Sequence, residues 1–166
     1  YSFGISVPKE PRTSKASKTT WKINPSYEYG DNHRVYALWS QGFRRGGSNA
    51  IPLVGPFGDS PELVQYEPDE ADNYEIGVKG HFANGLSYTF DIFKIYWDNP
   101  QIGGTTPTTN FAVWNADEAT SEGFELDINA PFGDTGLSIA LSGAYADATF
   151  SKDYTRPSTF GDIVGF

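Results

Sequence analysis

The sequence predicts an all-β chain of antiparallel, up-and-down strands forming part of a transmembrane β-barrel wall. Three observations carry that prediction. Apolar and polar residues alternate with a period of two along much of the chain, so each strand has one greasy and one polar face. Short turns alternate with long connections, the asymmetry of barrels with short periplasmic turns and long extracellular loops. Aromatic residues, 16% of the 166 residues, gather toward the strand ends, as an interfacial girdle requires.

The strands follow in order. In the first, Trp21, Ile23, Pro25, Tyr27 and Tyr29 oppose Lys22, Asn24, Ser26 and Glu28. Val35, Ala37, Trp39 and Phe43 then oppose Arg34, Tyr36, Ser40 and Arg44. The cleanest run sets Tyr74, Ile76, Val78, Gly80 and Phe82 against Glu75, Gly77, Lys79 and His81. Leu86, Tyr88, Phe90 and Ile92 oppose Ser87, Thr89 and Asp91. Phe124, Leu126, Ile128 and Ala130 oppose Gly123, Glu125, Asp127 and Asn129. Last, Leu137, Ile139, Leu141 and Tyr145 oppose Ser138, Ala140, Ser142 and Ala144. Residues 30–32, 83–85 and 131–136 are short connections; 45–73, 99–119 and the tail after Ser151 are long ones.

One hairpin has a testable register. If Ala83, Asn84 and Gly85 form a three-residue loop with glycine in the left-handed position, Phe82 faces Leu86. Val78 then meets Phe90, Ile76 meets Ile92, and Lys79 faces Thr89, diagonal to Asp91. The adjacent Ile92 and Phe93 break the alternation. Either a bulge switches faces there, or the strand has passed the lipid zone, which a tilted strand crosses in ~9–11 residues. We adopt the second reading, which sets Lys94 and Tyr96 near the outer interface. Alternation by itself also describes a soluble sandwich whose apolar faces pack on each other. Loop asymmetry and aromatic strand ends favour the barrel.

Composition excludes several classes. No stretch approaches the ~20 consecutive apolar residues of a membrane helix, and no secretory signal opens the chain at Tyr1. There is no cysteine, hence no disulfide or thiolate chemistry. A net charge of −9 argues against nucleic acid, which needs a basic footprint. The two histidines, His33 and His81, lack metal-ligand spacing and read as solvated or lumen-lining side chains. Neither a nucleophile elbow nor a phosphate loop appears, so no enzyme, no catalytic residue and no cofactor is expected.

Four stretches resemble the barrel of TonB-dependent outer-membrane receptors. Residues 40–47, Ser-Gln-Gly-Phe-Arg-Arg-Gly-Gly, resemble the family's strand end leading into an outer loop. Residues 66–80 resemble its return strand with Pro-Glu and Tyr-Glu-x-Gly-x-Lys, Asp69 replacing the usual Glu. Residues 95–102 are similar to its outgoing strand, with Asn99-Pro100 in place of Asp-Ile, and residues 122–127 to its Gly-x-Glu-x return. Order and spacing make the set specific from about Trp21 to Phe150. Phe166 resembles the terminal aromatic of many outer-membrane proteins, and residues 161–165 read as a truncated loop.

The resemblance implies that residues 1–166 are a fragment of a receptor barrel in the bacterial outer membrane, with further strands on both sides and the plug domain missing. It implies TonB-energised active transport of a scarce nutrient, most often a ferric siderophore. The implied partners are TonB through that plug, outer-membrane lipid and lipopolysaccharide, and the small nutrient ligand. Lumen-lining candidates are Glu75, Lys79, Asp91, Glu125 and Asp127. At the mouth, Arg44 and Arg45 are candidates for an anionic ligand, or else for lipopolysaccharide phosphate or the nearby acidic stretch. That stretch (Asp59, Glu62, Glu67, Asp69, Glu70, Asp72) lacks a calcium-loop pattern and reads as a solvated outer loop. A soluble all-β ligand-binding or adhesin domain is the alternative function, and a passive porin a third.

Overall fold

The computed structural model describes residues 17–150; the expected tail after Ser151, the 161–165 loop and Phe166 lie outside them. One antiparallel sheet dominates. Its strands are β1 (Lys22–Ile23), β2 (Ser26–Tyr29), β3 (His33–Arg44), β6 (Asp69–His81), β7 (Ser87–Asp98), β10 (Glu118–Pro131) and β11 (Ser138–Phe150). Two short hairpins stand in the long connections: β4 (Gly47–Ser48) with β5 (Gln65–Tyr66), and β8 (Gln101–Thr105) with β9 (Phe111–Asn115). The main strands lie side by side in chain order, β3-β6-β7-β10-β11, with β1 and β2 both on β3. This is the expected up-and-down wall.

The first strand departs from expectation. It is interrupted at Asn24 and Pro25, although β1 and β2 keep a single register on β3, with Ile23 opposite Trp39 and Ser26 opposite Tyr36. Pro25 accepts from the Ala37 N–H but has no N–H to return. The Asn24 side-chain amide supplies the missing donor, 2.8 Å from the Ala37 carbonyl. The break is one of hydrogen bonding and not of path.

The β6–β7 hairpin has the expected register. Val78 faces Phe90, Ile76 faces Ile92 and Lys79 faces Thr89. The Phe82 N–H donates to the Leu86 carbonyl at 2.8 Å, and Gly85 takes a φ of 86°, the left-handed conformation the loop needs. Pairing runs unbroken through Asp98, so no bulge follows Ile92. Phe93, Ile95 and Trp97 therefore share the polar face with Glu75 and Asp91, and Leu38 joins them from β3.

Pairing also continues past the greasy stretch. β6 begins at Asp69 and β10 at Glu118, several residues before their apolar runs, so the long connections are shorter than expected. Backbone hydrogen bonds extend a ladder wherever the partner strand continues, whatever its side chains.

The apolar face carries no second layer. Tyr74, Ile76, Phe82, Ile92, Phe124, Leu141 and Tyr145 are all exposed on it. Among the described residues, the only other sheets are the two small loop hairpins, so no sandwich partner covers this face. A row of rings crosses it, Phe90 to Phe124 at 6.3 Å and Phe124 to Tyr145 at 5.8 Å. His33 also belongs here, correcting its expected wet position. It lies two residues before Val35 on the same face, its ring edge-on to Phe82 at 4.9 Å and its Nδ1 3.1 Å from the Tyr88 hydroxyl. A Cβ at Gly80 would strike that ring, so this glycine makes room for it.

The buried apolar side chains lie instead in the long connections. Leu63, Ala112 and Trp114 form a small cluster, flanked by Ile51 and Ile102.

Candidate functional site

The polar face brings together all five residues expected to line an interior. Register places Tyr36, Gly77, Asp91, Glu125 and Ala144 in one row across five strands. One step toward the short turns, a second row runs Arg34, Lys79, Thr89, Asp127 and Ser142. Glu75 stands one step the other way, between Leu38 and Phe93. Asp91 is buried between its neighbours while Glu125 and Asp127 are exposed.

The contacts within these rows are specific. Tyr36 lies flat over Gly77, where a Cβ would sit 2.5 Å from its Cζ, and donates its hydroxyl proton to Glu75 at 2.6 Å. Lys79 sits diagonal to Asp91 as expected, yet its ammonium stands over the Tyr36 ring, 5.6 Å from the centroid. Arg34 pairs with Glu28, and Ser142 donates to Asp127. Carboxylates thus crowd the middle of the face, and cations lie in the row nearer the short turns. His81 is exposed on this same face, as expected.

The second region is the junction between strands and long connections. Arg44 ends β3 and Asp69 begins β6 directly opposite. Asp69 is 1% exposed and accepts three hydrogen bonds from the Arg44 guanidinium, one from Trp97 Nε1 at 3.1 Å and one from the Gln101 N–H at 3.1 Å. The Arg44 guanidinium also lies over the Trp97 ring at 4.9 Å. Arg44 thus forms an ion pair with the acidic stretch, one of the readings open to it. Arg45 is exposed, and its carbonyl accepts from Gln101 Nε2 at 2.9 Å.

The acidic stretch is therefore not uniformly solvated. Asp69 is buried in the junction, and Asp59 is buried farther out, where Thr106, Thr108 and Asn110 all donate to it. Burial pushes the Asp59 carboxyl up; the bonds from Thr108, Asn110 and Thr106 outweigh it and hold the group below its ordinary value. Both long connections contribute to this knot. Asn49 donates to the carbonyls of Leu63 and Val113, each at 2.6 Å, and accepts from the Val113 N–H at 2.9 Å. Asn115 likewise accepts from the Glu67 N–H at 2.7 Å and donates to the Glu67 and Asn99 carbonyls.

Sequence reasoning missed the roles of Tyr36, Asn49, Asp59 and Asn115. Tyr36 carried a signal: an aromatic on the polar face opposite a glycine once the register is known. The three loop residues carried none, because each has a partner in the other long connection, 48 to 64 positions away in sequence.

Comparison with known proteins agrees with this geometry. A family model for the β-barrel of TonB-dependent receptor-like proteins matches residues 3–165. The ferripyoverdine receptor of Pseudomonas aeruginosa is 28% identical over 115 residues, covering 64% of this chain and 13% of that receptor. The solved complex of FpvAI with pyocin S2 superposes with a TM-score of 0.59 at 20% identity, over 90% of this chain and 19% of the other. P. aeruginosa FpvA bound to a heterologous pyoverdine gives 0.56 at 22% identity, over 86% and 18%. At such identities the structural likeness speaks for the fold, and the chain spans a small part of each relative's length. With the family model matched over nearly its whole length, the chain belongs to the β-barrel family of TonB-dependent receptors, and its sheet is a portion of an outer-membrane barrel wall.

Proposed function

We propose that this chain supplies wall strands and two outer loops to a receptor that takes up a ferric siderophore, energised by TonB through a plug domain of the whole protein. The observation that carries the reading is the two-faced sheet without a core. Its apolar face is exposed and unlayered, as lipid contact demands, and its other face concentrates charge. The likeness to a ferripyoverdine receptor supports the ligand class. In this reading Glu75, Lys79, Asp91, Glu125 and Asp127 line the lumen, and lipid with lipopolysaccharide surrounds the apolar face. Arg45 is a ligand-contact candidate; Arg44 acts through Asp69 by holding the loops in place. The chain performs no catalysis. Among the described residues no sheet covers the apolar face, which weighs against a soluble binding domain.

The test is uptake of radioactive iron by cells that lack their own ferric-chelate receptors and express the whole receptor. We expect at least one ferric siderophore to be accumulated, and only when TonB is present. Uptake that persists without TonB would indicate a passive pore. Failure across hydroxamate, catecholate and mixed chelates, with another nutrient accumulated instead, would overturn the ligand class.

A further inference from the structure

We infer that residues 45–68 and 99–117 are not two loops that move independently but one cap that opens and closes as a single body. Three layers of contact tie them. At the base, the β6 residue Asp69 binds Arg44, the last residue of β3 just before the first segment, and Gln101 in the second, and Gln101 Nε2 reaches back to the carbonyls of Arg45 and Glu67 at 2.9 and 3.1 Å. In the middle, Leu63 of one segment packs with Ala112 and Trp114 of the other. Here Asn49 and Asn115 act as surrogate backbone: each offers both a donor and an acceptor to the opposite segment, as a strand residue would. At the far end, Asp59 gathers Thr106, Thr108 and Asn110, and Asn110 Nδ2 also donates to the Phe57 carbonyl at 3.0 Å.

No layer belongs to one segment. Separating them would break at once the bonds made by a buried carboxylate, by two half-buried side-chain amides and by the backbone groups they serve. Each of these bonds adds a modest net stabilisation that the others share, so the segments part from each other in one step or not at all under conditions where the barrel is folded. A contiguous network with shared partners is the physical basis for coupling two segments, and units that open cooperatively are its observable. The consequence is that a ligand touching either segment shifts both, whichever ligand that is; the inference does not depend on the siderophore reading.

Amide hydrogen exchange on the whole receptor in lipid nanodiscs tests this without any ligand. In the unaltered protein, amides of β9 such as Val113 and amides of the first segment such as Asn49 should open with one common free energy and one denaturant dependence. The Asp59→Ala variant, altered in the first segment only, should raise exchange in residues 101–115 and 49–66 by the same factor, about tenfold or more, and leave β6 and β7 unchanged. Distinct opening energies in the unaltered protein would overturn the inference. So would an effect of Asp59→Ala confined to residues 52–63. If the variant fails to assemble, the comparison within the unaltered protein still decides.

Discussion

Gly143→Arg is the sharpest single test of which face meets lipid. Gly143 lies on the apolar face of β11, opposite Leu126. The row it ends runs Val35, Val78, Phe90, Leu126, Gly143. Phe90 stands midway between Leu86 and Lys94 on its strand, so the row falls near the middle of the hydrocarbon if the apolar face is the lipid face. A Cβ built on Gly143 meets nothing within 4 Å, so no clash and no lost apolar contact complicates the exchange. In water, replacing a strand glycine by a longer side chain is neutral or favourable by up to ~1 kcal/mol. At a bilayer midplane the arginine costs ~2–4 kcal/mol, a roughly 30- to 700-fold loss in the folding equilibrium at ~1.4 kcal/mol per tenfold. The two environments thus predict opposite signs. The assay is denaturant unfolding of the whole receptor in phospholipid vesicles, with Gly143→Leu and Ala144→Arg alongside. Ala144 is the next residue, on the polar face opposite Glu125. We expect Gly143→Arg to be the least stable and Ala144→Arg to lie within ~0.5 kcal/mol of the parent. Equal stability of the two arginine variants would refute the lipid assignment.

Three further outcomes follow from particular contacts. Gly77→Ala should destabilise by ~1–3 kcal/mol through overpacking, because its Cβ would lie 2.5 Å from Tyr36 Cζ. A double-mutant cycle should recover most of that loss in a Tyr36→Ala background, and purely additive losses would sink the steric account. Asp69→Asn should weaken the strand–loop junction by ~1–3 kcal/mol, the scale of hydrogen bonds to a charged group, held at the modest end because the Arg44 side chain is half exposed. Limited trypsin digestion should then cut after Arg45 several-fold faster, and an unchanged rate would argue against the junction. Finally, Asp59 is held below its ordinary carboxyl value of 3.8. A depressed carboxylate contributes stability that is whole above that value and is lost as the pH falls through the lower, folded one. Exchange protection of residues 101–115 should therefore persist at pH 5 and fail only below about pH 4; loss of protection between pH 7 and 5 would contradict the Asp59 network.

Much of this protein was determined by its sequence alone. The β6–β7 register followed from two facts that need no tertiary information: side chains alternate with period two, and a three-residue turn ending in left-handed Gly85 has one pairing. Given that register, Glu75, Lys79 and Asp91 had to share a face; Glu125 and Asp127 join them because the apolar alternates of β10 take the greasy side of the same sheet. Even the unbroken strand through Ile92 and Phe93 was open to the same reasoning, though that Phe93, Ile95 and Trp97 face inward became plain only from the pairing on both sides.

What only the tertiary structure decided lies beyond the strand ends. Arg44 was open to a ligand, to lipopolysaccharide or to the acidic stretch, and its ion-pair partner could be named only from the structure, because Asp69, 25 positions away, begins the neighbouring strand at its level. His33 looked wet and lies among rings, because Gly80 on the next strand leaves it room. Asp59, Asn49 and Asn115 looked like ordinary polar loop residues and became the bolts of a cap. Local periodicity reports which way a side chain points. It cannot report which distant backbone group will arrive there, since loop residues follow no period, and their partners are set by how the two strands beneath them are spaced.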